Sequence, residues 1–394
     1  MPAPTEKSQQ LRAEIIKELY HKKVLSLKEL SELTKKSLPL VTSVVNSLIE
    51  EEYIIEQGLA PSTGGRRPQL FLLNHQKQKF LVAVAMDQMI SQMAIYNLSG
   101  QPVYGVKQIN LDISSPEATN TLTEFIDRNI LQSGLDYKDI LGVGIGMPGF
   151  VNEAEGINES YLIAEGSNLR DLLTQKLKLP VYLDNDSSLI AMAELRFGAS
   201  VGKKDIMVVN IGWGTGLGII VDGKLYRGST GYAGEFSHIP LSNSNNLCAC
   251  GKRGCLEVDT SLLVMVDKAK KEMSGGAASS MKQLFNDNAK EAAEHFLDAV
   301  VKQDPLAVSI LSGAAFQIGK GLAVLIHIMN PEQIVLSGRG ARAGKMLLPA
   351  IQQAINEFCI PRISEQTQIA LSKLGDQAEL LAAASLLVEK SQFN

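Results

Sequence analysis

Cysteine is scarce, with four in 394 residues, too few for a disulfide scaffold. Three of the four (Cys248, Cys250 and Cys255) fall within eight residues. In a reducing compartment that clustering points to a metal rather than to bridges. Long apolar runs are also missing: the longest, near 141–151 and 321–329, fall short of the roughly 18 residues a membrane helix needs, so no membrane insertion is expected. The opening MPAPTEKSQQ lacks the basic start, apolar centre and small-residue cleavage site of an export signal. A cytoplasmic protein is the expectation. Charge of one sign is weak as well, at a net −4 overall. Residues 1–75 carry 10 Lys+Arg against 9 Asp+Glu, and the remainder 28 against 33. That balance is too even to argue for nucleic acid, so placement must carry the argument. What is present, 45% hydrophobic and 20% charged residues, belongs to an ordinary globular chain. Its length suits two or three domains.

From Gln9 to Leu73 the spacing predicts three helices and a hairpin. Leu11, Ile15, Ile16 and Leu19 keep helical period, then Leu27, Leu30 and Leu33 do so again. Ser26 and Ser37 stand where N-caps belong, Glu29 completes a capping box, and Pro39 fits a first helical turn. Only Lys35 and Lys36 link the second and third helices. Two strands, 53–57 and 68–73, flank a loop holding Gly64, Gly65, Arg66 and Arg67. This is the pattern of a winged helix-turn-helix. Its third helix should bury Val41, Val44, Val45 and Leu48, leaving Ser37, Thr42, Ser43 and Asn46 toward a DNA groove. Lys35 and Lys36 would meet phosphates, and Arg66 and Arg67 a neighbouring minor groove. The same geometry also serves protein-interaction modules, whose lysines form a solvated face.

Beyond Asn74, apolar strand runs alternate with helical stretches: 80–86, 93–97, 141–147, 181–183, 206–211 and 333–337. Such alternation predicts an α/β architecture. Several runs end in glycines, as in 212–218 and 338–340, where backbone can approach a ligand.

In LCACGKRGCLE, Cys248, Cys250 and Cys255 form C-x-C-x4-C, with His238 ten positions earlier. Three thiolates and an imidazole make the Cys3His set of a closed structural Zn2+ site, with no open position for catalysis.

With these residues the chain resembles the ROK family of repressors, open reading frames and kinases. The resemblance rests on NIGWGTGLGIIVDGKLYRG (Asn210 to Gly228), GEFSH (Gly234 to His238), the cysteine loop and LDNDSS (Leu183 to Ser188). The leading winged helix resembles the family's repressors of the N-acetylglucosamine and xylose type. The resemblance implies a two-lobed actin-like ATPase (sugar kinase-like) fold with a sugar cleft between the lobes, and a homodimer or homotetramer. It divides the chain into a head (1–75), a smaller α/β lobe (76–187 with 376–394) and a larger one (188–375). Sugar contacts then fall on Asn185, Asp186, Glu235, His238 and Glu257, with Asn168 as a further one. Asp186 matches the kinases' general base. The kinases' first phosphate loop, D-x-G-G-T, is degenerate here: its Asp falls at Ala85 and its glycines at Asp87 and Gln88. No useful ATP binding and no enzyme activity are expected. The implied function is a sugar-responsive transcriptional regulator that binds operator DNA and a sugar or sugar phosphate. The alternative is an ATP-dependent sugar kinase with an appended DNA-binding head. The resemblance also admits a protein effector.

Overall fold

The computed structural model describes residues 6–59, 67–77, 79–163, 168–285 and 288–393. The chain opens with α1 (Glu6–Lys22), whose Leu11, Ile15, Ile16 and Leu19 form one buried stripe. After a short strand β1 (Val24–Ser26), α2 (Leu27–Thr34) starts at a reciprocal capping box. The Glu29 amide donates to Ser26 Oγ at 3.3 Å and the Ser26 amide to the Glu29 carboxylate at 2.8 Å, a device worth about 1 kcal/mol. Lys35 ends α2 in the left-handed region at φ 54°.

Next, α3 (Leu38–Glu50) buries Val41, Val44, Val45 and Leu48. Ser37 holds its N-cap position with extended backbone, but its side chain makes no capping bond. Pro39 removes one of the amides that a capping oxygen would accept from. Strands β2 (Ile54–Leu59) and β3 (Gln69–Leu73) close an antiparallel sheet in the order β1-β3-β2.

The next stretch comprises β4 (Phe80–Met86), β5 (Ile90–Asn97), β6 (Pro102–Asn110), α4 (Ala118–Ser133), β7 (Ile140–Met147), a ribbon of β8 (Val151–Asn152) with β9 (Ile157–Asn158), α5 (Leu169–Leu177) and β10 (Val181–Asn185). Its sheet runs β10-β7-β4-β5-β6, with β10, β7 and β4 parallel. Strand β6 has no signature among the apolar runs, because this edge strand is exposed along most of its length and shows no apolar alternation.

Helix α6 (Asp186–Phe197) leads to β11 (Ile206–Ile211), β12 (Thr215–Val221) and β13 (Lys224–Leu225). Then follow α7 (Glu257–Thr260), α8 (Leu262–Ser274), α9 (Ala289–Val301), α10 (Pro305–Met329), β14 (Gln333–Ser337), α11 (Leu348–Phe358), α12 (Pro361–Ser364), β15 (Gln368–Leu371) and α13 (Ala378–Lys390). The second sheet runs β13-β12-β11-β14-β15. The chain thus forms the mixed α/β, two-lobed fold of the sugar kinases behind a winged helix.

By length and composition α10, at 25 residues, is apolar enough to cross a membrane, although its unbroken apolar runs are shorter. Its Leu311, Ile318, Leu322 and Ile326 are buried in the core beneath the second sheet, where a long apolar helix meets the same criterion.

Two helices tie the layers together. Leu380, Ala383, Ala384 and Leu387 of α13 share one core with Ile15, Ile16 and Leu19 of α1 and with Leu81 and Ala83 of β4. Between α13 and the second sheet lies α6, packing Leu189 and Ala193 on Ala382 and Leu386. It can lie this close to β12 because Gly216 and Gly218 lack side chains: a Cβ at Gly216 would fall 2.0 Å from Ser187 Oγ, and one at Gly218 2.3 Å from Ala191 Cβ. These two glycines of the run therefore admit a helix, where the sequence pattern suggested room for a ligand.

Candidate functional site

A cleft of about 400 Å³ lies between the sheets. Its walls come from the ends of β4, β7, β10 and β11 and from the loop before the cysteines. Asn185, Asp186, Glu235, His238 and Glu257 all line it.

Asn185 and Asp186 stand where β10 passes into α6. Asn185 Oδ1 accepts the amides of Ser187 (3.0 Å) and Ser188 (3.1 Å), while its Nδ2 donates to the Gly149 carbonyl at 3.2 Å. Asp186 Oδ1 accepts the Ser187 amide and hydroxyl at 2.6 and 3.1 Å. Burial raises the Asp186 carboxyl to about 6, with the Asp87 charge adding to the rise and the Ser187 bonds opposing it. Burial likewise lifts Glu257 to about 7 against the stabilising Thr215 amide (2.9 Å) and Ser237 hydroxyl, and Glu235 is raised by burial and by Asp186. Three carboxyls with raised pKa values therefore share one half-dry space, able to accept or donate hydrogen bonds to a polyhydroxylated ligand.

Asn168 stands apart. It caps α5, accepting the Asp171 amide at 2.7 Å and donating to the Asp171 carboxylate at 3.0 Å, and it is not among the described residues lining the cleft. Its contacts here are those of a helix cap, as those of Asn185 are at α6. Asp184, one residue before Asn185, is bound on both oxygens by Arg227, at 2.8 and 2.5 Å. That pair staples β10 to the segment after β13.

His238 joins the cleft to the cysteine loop. Its Nε2 lies 3.7 Å from the Glu235 carboxylate, its Nδ1 lies 3.6 Å from Cys248 Sγ, and Phe150 stacks on its ring. Cys250 Sγ is 3.6 Å from Cys255 Sγ, and one ligand atom from each of His238, Cys248, Cys250 and Cys255 falls within 4.8 Å of the others. A tetrahedral ion with metal–sulfur bonds near 2.3 Å needs sulfurs roughly 3.7 Å apart, so the cluster could hold a metal. Burial and the adjoining thiols push Cys255 up to about 12, a cost that a bound cation would remove. The Glu235–His238 contact supplies the outer carboxylate typical of a metal-bound imidazole.

Sequence reasoning singled out Asp87 but missed its partner Arg339 in the opposite half of the cleft, and Phe150 and Tyr232 on the sugar side. Asp87, in the turn between β4 and β5, accepts the amides of Met89 and Ile90, both at 2.7 Å, and the Arg339 guanidinium at 3.1 Å. Arg339 also meets Glu294 at 3.5 Å and lies 5.6 Å from the Trp213 ring centre. Tyr232 and Phe150 pack edge to face at the sugar side, and Tyr232 donates to Glu159 at 3.0 Å. These residues come from loops with no periodicity to mark them.

In the head, Lys35, Lys36, Ser37, Ser43, Asn46 and Arg67 are exposed, and Thr42 is half-buried with its hydroxyl donating to the Leu38 carbonyl at 2.8 Å. Arg66 lies outside the described residues.

A winged helix fused to a two-lobed sugar-kinase body with a carboxylate-lined cleft defines the class. The sequence pattern described as ROK family matches residues 87–390, and the chain belongs to that family. It is 27% identical to the xylose repressor of Caldicellulosiruptor bescii, covering 95% of this chain and 94% of that one. It is 29% identical to a glucokinase of Halalkalibacterium halodurans, over 69% of this chain and 83% of that one. A solved ROK family transcriptional regulator, a homolog of the E. coli MLC protein, shares the fold with a TM-score of 0.78 at 24% identity, over 97% and 96% of the two chains.

Proposed function

We propose that this protein is a sugar-responsive transcriptional repressor of carbohydrate-use genes, cytoplasmic and homo-oligomeric, that releases operator DNA when a sugar occupies the cleft. The observation that carries the reading is the course of α6. Its first turn supplies Asp186, capped by Asn185, and at its other end, about 16 Å along, Phe197 packs against the head. Phe197 sits edge-on to Tyr20, with ring centres 6.1 Å apart, and beside His21 at 5.7 Å. His21 meets Glu389 of α13 at 2.9 Å, and Arg196 meets the same carboxylate at 3.6 Å. A ligand that binds two lobe arrangements unequally would tilt this helix and reposition the head.

In this reading Asn185, Asp186, Glu235, His238 and Glu257 contact the sugar, with Asn168 as a further contact from outside the cleft's present lining, and Asp186 is a vestigial base. His238, Cys248, Cys250 and Cys255 hold structural Zn2+. Lys35, Lys36, Ser37, Thr42, Ser43, Asn46 and Arg67, together with Arg66, face DNA. Residues 1–75 form the head, 76–187 with 376–394 the smaller lobe, and 188–375 the larger. The relatives named as repressors support DNA and sugar as partners.

The retained Asp186 favours a second reading, a sugar kinase with a DNA-binding head. Against it stand Ala85 in place of the phosphate loop's carboxylate and the Asp87–Arg339 pair in place of its glycines. The test begins with duplexes selected from a random library by the full chain, whose affinity is then measured with and without each sugar that binds. Weaker DNA binding with one of those sugars is expected. Identical affinity with all of them would reject the repressor reading, and steady ADP release with any sugar would favour the kinase.

A further inference from the structure

We propose that the cleft accepts a neutral, unphosphorylated sugar and excludes the same sugar carrying a phosphate ester. The inference rests on the sugar reading of the cleft and narrows its ligand class.

A phosphate monoester brings close to two negative charges near neutral pH and needs cationic side chains, free loop amides or a helix N-terminus to meet them. In the cleft the lining cation, two amides of the glycine loop and the first amides of α6 are already engaged by the protein's own oxygens. Arg339 is the one Lys or Arg among the described lining residues, and it is shared between Asp87 at 3.1 Å and Glu294 at 3.5 Å. In the glycine loop, the Thr215 amide donates to Glu257 Oε2 at 2.9 Å and the Gly212 amide to the Gly214 carbonyl at 2.8 Å. At the start of α6 the Ser187 and Ser188 amides are taken by Asn185 Oδ1, and Ser187 also by Asp186.

The lining otherwise carries five carboxyl residues: Asp87, Asp186, Glu235, Glu257 and Glu379. A dianion entering this space would meet like charge with no free cation to offset it. Sugar hydroxyls face the opposite situation, because carboxylates accept their protons and protonated carboxyls donate to their oxygens. Asp87 is the pivot. It occupies the turn where the kinases' pattern has glycine, and the two backbone amides that it accepts hold its carboxylate against Arg339.

The test is calorimetric titration of the full metal-loaded chain with matched pairs: glucose and glucose 6-phosphate, N-acetylglucosamine and its 6-phosphate, xylose and xylose 5-phosphate. The expected result is binding of a free sugar with its phosphorylated partner weaker by at least about tenfold. In Asp87→Asn, which keeps the turn's acceptor, the ratio should narrow, and thermal unfolding of the variant reports whether the fold is intact. A phosphorylated member that binds as tightly as its free partner would overturn the inference while leaving the sugar reading standing. An unchanged ratio in a folded Asp87→Asn protein would overturn the role given to Asp87. Absence of heat from every pair would overturn the sugar reading, and this inference with it.

Discussion

The two halves of the cleft are built from the same fold to opposite ends. On one side Asp186, Glu235 and Glu257 converge with pKa values raised by burial, so they can both donate and accept hydrogen bonds. On the other side Asp87, Arg339 and Glu294 satisfy one another, so that side presents a closed ion-pair network. In the proposed reading, the difference would let a kinase-like body keep ligand recognition without group transfer. The one described lining Arg is neutralised by Asp87 and Glu294, whereas the three carboxyls opposite have no Lys or Arg partner in the described lining.

The largest expected effect lies at the wall of the open half. Cys255→Ser, or a strong chelator applied to the wild type, should cost about 3–5 kcal/mol of stability and weaken sugar binding in parallel, because His238 would lose its anchor. Thermal melts with and without chelator check this, and an unmoved melting temperature would mean that the cysteine loop holds no structural ion.

Next in size is a contrast between the halves. Glu257→Gln should lower sugar affinity by roughly 2–3 kcal/mol, whereas Gln88→Ala, on the Asp87 side, should change it by less than about 0.5 kcal/mol. Calorimetry on both variants breaks the comparison if the two losses are equal.

The raised carboxyls also make a prediction about pH. Asp186 moves from 3.8 unfolded to about 6 folded, and Glu257 from 4.5 to about 7. The folded state therefore holds extra protons in these windows, and their contribution to stability falls as pH rises from about 4 to about 7. Asp186→Asn should match the wild type near pH 4 and exceed it at pH 8 by on the order of 2 kcal/mol, measured by urea unfolding at the two pH values. A constant difference across pH would show that Asp186 is not carrying that burden.

The smallest effect tests how the open half reaches the head. Phe197→Ala should leave sugar affinity within about twofold of wild type while reducing sugar-driven DNA release by about fivefold, a coupling loss near 1 kcal/mol. Equal release would remove α6 from the route.

Much of this molecule was legible before the structure. The α1 to α3 stripes, the Ser26–Glu29 box and the strand runs follow from local periodicity and short-range bonding, and the structure has them within a few residues. Asn185, Asp186, Glu235, His238 and Glu257 came from the family resemblance and gather in one cleft. Asn168, from the same resemblance, lies apart from them and caps α5 through Asp171. Phe150, Tyr232 and Arg339 left no trace, since residues in irregular loops acquire partners only through folding.

The sequence by itself determined the helices of the head and the buried strands, though not the exposed edge strand β6, and that three thiols and an imidazole would meet, because these depend on neighbours a few to a score of residues apart. Only the tertiary structure decided that Asp87 would face Arg339 across 252 positions, and that burial would hold Asp186 and Glu257 partly protonated. Both outcomes depend on solvent exclusion and long-range charge, which have no local signal in a chain.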